Sequence, residues 1–522
     1  MRGYPRPVDM MRSQLTARPH LPAARWPGAA PYGLIALLTV GLMLFYAGPM
    51  CPDVSGQFWI AQMMRGGVRL YVDFIEMNPP LWFWMAVPID WAAEVSGIRY
   101  EYLVIAAVAL AIAAAVRAID RLLPFGRLPK AMFLLFVVAV VMIMPARDFE
   151  QREHLALIAG LPYFILAAAR RDGRPVTPRL AGLVGIFAGI GLSLKPHFFV
   201  GPMLVELWLL TSLRRDWRPL RAETLAMAAI VSLYLAAIAL FTPAYLTCIL
   251  PELLGPYQAI SPPLGEVMGS FTPILWLVML IAFLPLRRAL LDRSAPVTTA
   301  LLLGGVGFAL AWMLQHKGWF YQGLSATGCF ALAFAALLIE NSSERHPLFK
   351  VFIPCLLCLP LATAMLDSEP AITPANDIVP ALADLRSGDA FALISASGAA
   401  SWPALVDRGL RLSSRYGQYW MIRLLDSPPH DAAAVRLVDR AIRDTASDFR
   451  CLPPKVIVVV RSLKHRAGGP VDANPLPTFM RDPQFAAVMA HYRLARSGRI
   501  YDSYRLTTPF AAFDRSACRR SP

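Results

Sequence analysis

Long apolar runs separated by short polar loops fill the chain from residue 31 to about 366. A membrane-crossing helix needs roughly 20 mostly apolar residues. Runs of that kind predict spans near 31–50, 100–118, 131–146, 153–169, 180–194, 197–212, 223–242, 272–287, 296–314, 321–340 and 347–366. The apolar stretch 79–97 has a different pattern: Pro79, Pro80 and Pro88 interrupt it, and Asp90 and Glu94 sit in its second half. It reads as juxtamembrane helices at the interface, with Trp82, Trp84 and Trp91 at headgroup depth. Beyond residue 367 the pattern shortens. Apolar runs at 390–397 and 454–462 flank an amphipathic helix at 431–447, which predicts a small α/β layer fold.

The pattern therefore divides the chain into a tail at 1–30, a polytopic helical domain at 31–366 with a first loop at 51–99, and an α/β domain at 367–522. Composition agrees: 57% of the residues are hydrophobic and 16% charged, outside the range of soluble domains. The net charge of +15 could point to nucleic acid, but much of it lies in short loops between spans. Arg117, Arg121, Arg127 and Lys130 share one loop; Arg170, Arg171, Arg174 and Arg179 the next; Arg214, Arg215, Arg218 and Arg221 a third. Arg287, Arg288 and Arg293, then Arg345 and Lys350, continue the series, while the loop 243–271 has no basic residue. The positive-inside rule puts those basic loops in the cytoplasm. Eleven spans then place 51–99, 243–271 and 367–522 outside, with the tail of 1–30, rich in Arg, inside. That tail is long and no small-residue cleavage site follows its apolar run, so the first span is expected to be retained.

On the outer side the ionisable residues form a limited set, and such groups beside spans mark functional sites by default. Asp53 follows the first span; Asp73, Glu76 and Asn78 line the loop after it. "PARDFEQREHLAL" contributes Arg147, Asp148, Glu150, Arg152, Glu153 and His154; "SLKPHFF" contributes Lys195 and His197; "LQHKGWFYQ" contributes His316, Lys317, Trp319 and Tyr321. Carboxylates can take the proton of an attacking hydroxyl. Lysines and arginines in a dry site can stabilise a departing phosphate. A sugar donor on a lipid phosphate would use both.

The stretch "GGVRLYVDFIEMNPPLWFW", preceded by an Asp just after the first span, resembles the first external loop of the GT-C glycosyltransferases. Within them it is most similar to the protein O-mannosyltransferases and the lipid A aminoarabinose transferase. The matching positions are Asp53, Gly67, Tyr71, Asp73, Pro79, Pro80 and Leu81. The resemblance implies an inverting transferase that takes a sugar from a polyprenyl-phosphate donor to a glycolipid, polysaccharide or protein acceptor, at the outer face of the membrane; the Arg/Ala-rich usage points to a bacterial inner membrane. It implies Asp53 as the general base and a second carboxylate among Asp148, Glu150 and Glu153. Lys195, Lys317 and Arg152 would hold the donor phosphate, and Tyr71, Asp73, Glu76, Asn78, His197, His316 and Tyr321 would line the substrate. Asn78 departs from the aminoarabinose transferase, which has a Lys just before the proline.

Plainer uses compete for the same residues. Asp53 could cap a helix starting near Val54, and Asp73 and Glu76 could anchor the loop. Arg147 and Arg152 could pair with Asp148 and Glu153, and Lys195 could snorkel. His154, His197 and His316 come from separate loops and predict no metal, although "DFE" at 148–150 has the character of a divalent-cation motif; no cofactor is otherwise expected. Cys355 and Cys358 lie in a span, whereas Cys451 and Cys518 could pair in an oxidising compartment. Two other functions fit a membrane chain of this kind. A flippase or secondary transporter would favour midplane charges and repeated halves, and an O-antigen ligase or polymerase would lack the early Asp and the Pro-Pro motif.

Overall fold

The computed structural model describes residues 29–46, 50–281, 283–284, 295–340, 378–396, 402, 408–425, 432–461, 474–498, 500–509 and 518. The expected span at 347–366, and Cys355 and Cys358 within it, lie outside those residues. The described residues are mostly helical, with one small sheet among them. Its longer helices are α1 (Ala30–Phe45), α2 (Pro52–Arg65), α3 (Leu81–Ser96), α4 (Tyr100–Leu122), α5 (Arg127–Met142), α6 (Arg152–Arg171) and α7 (Pro178–Leu192). They continue with α8 (Val200–Leu213), α9 (Ala222–Phe241), α10 (Phe271–Ile281), α11 (Pro296–Gln315), α12 (Leu324–Glu340) and α13 (Ala432–Cys451).

Five described helical stretches are long and apolar enough to cross a membrane: Tyr100–Leu122, Pro196–Asp216, Ala222–Phe241, Pro296–Gln315 and Phe320–Glu340. Burial sorts the bundle into centre and rim. α6 is buried from Arg152 to Ala169 apart from Leu155, and α12 from Leu324 to Leu337. By contrast α9 buries only Glu223 and Ile238 and presents Leu233, Leu235, Leu240 and Phe241 outward, as a lipid-facing helix does. α8 and α11 cross where Gly201 meets Gly307; a Cβ on Gly307 would come within 2.4 Å of the Gly201 Cα. Only glycine permits that approach, and the crossing fixes the helices that follow Lys195 and precede Lys317.

The two ends of the bundle differ. At one end Arg170 holds Glu223 at 3.0 Å through two nitrogens, Arg221 bonds Glu223 at 2.8 Å and also pairs with Glu206, and Lys130 donates to the Asp120 carbonyl. These are the Arg-rich loops. The candidate site residues gather at the other end. There α2 and α3 pack together, joined by Gln57 Nε2 donating to the Trp82 carbonyl at 2.7 Å and by Arg65 bonding Asp90 at 2.5 Å and Glu94.

The expected strand–helix–strand unit is present. Strands β1 (Ala390–Ile394), β2 (Arg411–Leu412), β3 (Val456–Val460), β4 (Tyr492–Ser497) and β5 (Tyr501–Leu506) form a sheet in the order β2-β1-β3-β5-β4. β1 pairs parallel with β2 and β3, and β5 pairs antiparallel with β3 and β4. β1 and β3 are buried along their whole length, as strands covered on both faces are. Between them α13 buries Leu437, Val438, Ala441, Ile442, Thr445 and Phe449 on one stripe. Cys451 and Cys518 form a disulfide. This unit sits on the first loop: the Ile75 N–H donates to the Arg415 carbonyl at 2.8 Å, and Trp402 packs 5.3 Å from Trp59.

Candidate functional site

The loop between α2 and α3 is built from its own polar groups. Tyr71 adopts φ 69°, a left-handed conformation rare for a bulky residue, and is held there by its neighbours. Its N–H donates to the Phe74 carbonyl at 2.7 Å, its hydroxyl to the Asn78 carbonyl at 2.6 Å, and its ring lies 5.1 Å from Tyr245. Asp73 accepts from the Arg69 backbone N–H and Nε, both at 2.9 Å, and from Nη2 at 2.8 Å. Both residues therefore shape the loop. Glu76 accepts from the Met77 and Asn78 N–H groups at 2.8 and 3.0 Å and from Asn78 Nδ2 at 2.7 Å, while burial raises its pKa. The Asn78 side-chain Oδ1 in turn accepts from Arg152. Asn78 thus ties the first loop to an arginine at the start of α6.

Asp53 is not a helix cap. α2 begins two residues earlier than expected, with Pro52 in its first turn and Cys51 at the cap position, because proline's fixed φ suits a helix start. Asp53 is half-buried in that first turn, where the helix dipole favours an anion. Gln151 Nε2 donates to its Oδ2 at 3.2 Å and to Cys51 Sγ at 3.2 Å.

The 146–154 segment distributes its carboxylates differently. Asp148 is half-buried in the turn Ala146–Asp148, near Cys51 and Tyr46. Glu150, at φ 72°, is buried against Trp82, whose Nε1 donates to it at 3.1 Å; burial raises its pKa to about 8. His154 is locked, accepting from the Glu150 N–H at Nδ1 (3.0 Å) and bonding the Val141 carbonyl through Nε2 (2.6 Å). Glu153 is fully buried and pairs with Lys195 at 2.5 Å.

Two cations stand at the centre. The Arg152 guanidinium, 3% exposed, lies 4.5 Å over the Trp82 ring and within the electrostatic reach of Glu153, Tyr321, Asp53 and Glu76. Lys195 donates to Glu153 and, at 2.7 Å, to Gln315 Oε1. Burial lowers its pKa to about 8, with Glu153 opposing and Arg152 adding to the drop. Tyr321 lies within the fields of Asp53, Glu153 and Arg152. Asp53, Arg152, Glu153, Lys195 and Tyr321 thus share one cluster. Lys317, buried, donates to the Tyr257 carbonyl and Ser261 Oγ at 3.0 Å each. His316 ends α11 in a left-handed turn, and His197 lies within the short turn Pro196–Phe199, which Lys195 precedes. Among the described residues no group of three His, Cys, Asp or Glu side chains could hold a metal.

Sequence reasoning passed over Gln151, Gln315 and Tyr257, and it put Trp82 at headgroup depth, whereas Trp82 is buried under Arg152. Gln151 and Gln315 stand inside the quoted motifs but carry no charge, and Tyr257 lies in a loop whose pattern signals nothing.

Comparison with solved structures gives matches that cover most of the chain. No family model and no curated protein matches the chain. The crystal structure of ArnT from Cupriavidus metallidurans bound to undecaprenyl phosphate superposes with a TM-score of 0.52 at 11% identity, covering 91% of this chain and 98% of that one. The arabinofuranosyltransferase AftD from Mycobacteria gives 0.44 at 16% identity, over 93% and 40%. The Archaeoglobus fulgidus oligosaccharyltransferase gives 0.44 at 11%, over 83% and 69%. The chain shares its fold with that ArnT structure.

Proposed function

We propose that this protein is a glycosyltransferase that moves a sugar from a polyprenyl-phosphate donor to a hydroxyl of a glycolipid, polysaccharide or protein acceptor, with inversion. The observation that carries the reading is a half-buried carboxylate, Asp53, within electrostatic reach of two buried cations, Arg152 and Lys195. The acceptor oxygen attacks the anomeric carbon while Asp53 takes its proton. The bond from that carbon to the phosphate oxygen breaks, and the electron pair leaves with the phosphate. Arg152 and Lys195 stabilise the charge that grows there, where low dielectric strengthens them. Glu153 holds Lys195 in place, and Glu150, neutral near pH 7, braces Trp82 beneath Arg152. Asp148 is the second half-buried carboxylate and the alternative base.

The undecaprenyl phosphate bound by the ArnT neighbour supports a lipid-phosphate donor. The separation of the Arg-rich loops from the site supports a reaction at the outer face of a bacterial inner membrane, with residues 367–522 as an external domain. The disulfide within that unit supports the same side, since such bonds persist in oxidising compartments.

Transfer can be assayed in membrane vesicles that hold the native acceptors, using labelled polyprenyl-phosphate sugars. Asp53→Asn keeps shape and polarity and removes the proton acceptor, so single-turnover transfer falls about 10²–10⁴-fold while donor binding survives. Near-normal transfer by this variant would move the base to Asp148.

A further inference from the structure

Asp53 stands apart from two cations whose charges reach it. Arg152 and Lys195 both lie within its field, yet among the described residues no ion pair joins Asp53 to either. In a site of low dielectric opposite charges attract strongly, and the torsion that swings an Asp carboxylate is soft. The separation therefore has to be held. Each cation is held from its own side: Arg152 donates to Asn78 Oδ1 and lies over the Trp82 ring, and Lys195 donates to Glu153 and Gln315. On the side of the carboxylate, among the described residues the one hydrogen bond to the Asp53 side chain comes from Gln151 Nε2, at 3.2 Å to Oδ2.

Gln151 is fixed for this use. It stands at the cap position of α6, where its N–H donates to the Asp148 carbonyl at 3.1 Å and its carbonyl accepts from the Leu155 N–H at 3.0 Å. The residue is 2% exposed. Both bonds of its side chain run from Nε2 to the start of α2, to Asp53 and to Cys51 Sγ, while Oε1 is buried with no partner among the described residues. An unpaired buried acceptor is costly, and turning the amide over would set Oε1 against the Asp53 carboxylate. A neutral amide also leaves the charge of that carboxylate intact, which a lysine or arginine in its place would neutralise. The consecutive residues Gln151, Arg152 and Glu153 thus reach three different partners: Asp53, Asn78 and Lys195. We propose that Gln151 is a positioning residue that holds the Asp53 carboxylate apart from Arg152 and Lys195, leaving Oδ1 for the acceptor's proton and the cations for the phosphate. The roles of the base and the cations rest on the glycosyl-transfer reading; the separation does not.

Purified full-length protein in detergent is titrated with undecaprenyl phosphate and followed by thermal shift, and transfer is read in single turnover in the vesicle assay. Gln151→Met keeps the length of the side chain and removes its hydrogen bonds. Asp53 then turns onto Arg152 or Lys195 and competes with the phosphate. Lipid affinity falls about tenfold, the worth of one hydrogen bond to a charged group. Asp53→Asn combined with Gln151→Met returns it to the wild-type value, because the competing charge is gone. Transfer by Gln151→Met falls about 10–100-fold, and the same substitution adds nothing to the loss already present in Asp53→Asn. If Gln151→Met does not purify, Gln151→Asn, whose amide is one methylene further back, carries the same test. Equal loss of affinity in the single and the combined variant, or additive losses of transfer, would make Gln151 a structural residue only and overturn the proposal. Wild-type affinity and rate in Gln151→Met would overturn it too. A wild type that binds the lipid phosphate and transfers no sugar would sink the glycosyl-transfer reading, and the two affinities would still decide the role of Gln151.

Discussion

Burial decides what each carboxylate of this site can do. Glu150 and Asp53 are both acids beside the same bundle end, yet Glu150 is buried and protonated near neutrality, whereas Asp53 keeps partial exposure. A carboxyl whose folded pKa is raised from 4.5 to about 8 contributes stability that is complete below about 4.5 and is lost as pH rises through about 8. Glu150→Gln keeps the acceptor for Trp82 Nε1 and cannot ionise. Its melting temperature should therefore be flatter between about pH 5 and 9 than that of the wild type, and higher at the alkaline end, with transfer retained. Lys195 and Lys317 have pKa values lowered to about 8, mainly by burial. Donor affinity should fall as pH rises through that value, since each lysine then loses the charge that holds the phosphate; thermal shift with undecaprenyl phosphate at pH 7 and 9 reads this. The sequence named the cations and carboxylates because charge in a greasy chain stands out. It was silent on which of them touch. Nothing in "DFEQREHLAL" says that Glu153 is the partner of Lys195, that Gln151 serves Asp53, or that Asp73 is taken by Arg69 four residues away.

Helices carried most of what the pattern could tell. Apolar runs and Arg-rich loops placed the described membrane helices to within a few residues, and the prolines at 79, 80 and 88 marked α3 as different from its neighbours. The joints between helices were invisible, because they depend on the absence of a side chain. Gly307 touching Gly201 is one, and it sets the relation of α8 to α11, hence of Lys195 to Lys317. Gly307→Ala forces a methyl into that contact, and overpacking of this kind costs about 1–3 kcal/mol. The variant should melt lower and lose donor affinity together, measured on the same detergent-solubilised sample. Loss of stability with full affinity would mean that the crossing does not position the cations. The loop 243–271 was equally unreadable: its short helices and the Tyr245–Ile249 π turn have no periodic signature, yet Tyr257 within it accepts from Lys317 and packs against Trp420 of the C-terminal unit.

At the scale of the molecule, the account requires that the cluster, the loop 243–271 and the sheet unit all face one side of the membrane. A cysteine replacing Ile260, in a chain whose exposed Cys248 has been changed to Ser, should react with an impermeant reagent in intact spheroplasts. Labelling only after permeabilisation would reverse the topology. The strands and helix of the C-terminal unit were legible from their apolar runs; its placement on the first loop, through Trp402 and Arg415, and on Tyr257, through Trp420, was not, because those contacts join residues far apart in the sequence. The central claim is that Asp53 catalyses transfer of a lipid-linked sugar to an envelope acceptor. Mass spectrometry of lipid, polysaccharide and protein fractions tests it most directly, in cells lacking the gene and in the same cells carrying wild-type or Asp53→Asn protein at equal expression. The account predicts that one glycan mass disappears with the gene, returns with the wild type and stays absent with Asp53→Asn. Full restoration by Asp53→Asn, or no glycan change on deletion, would contradict it.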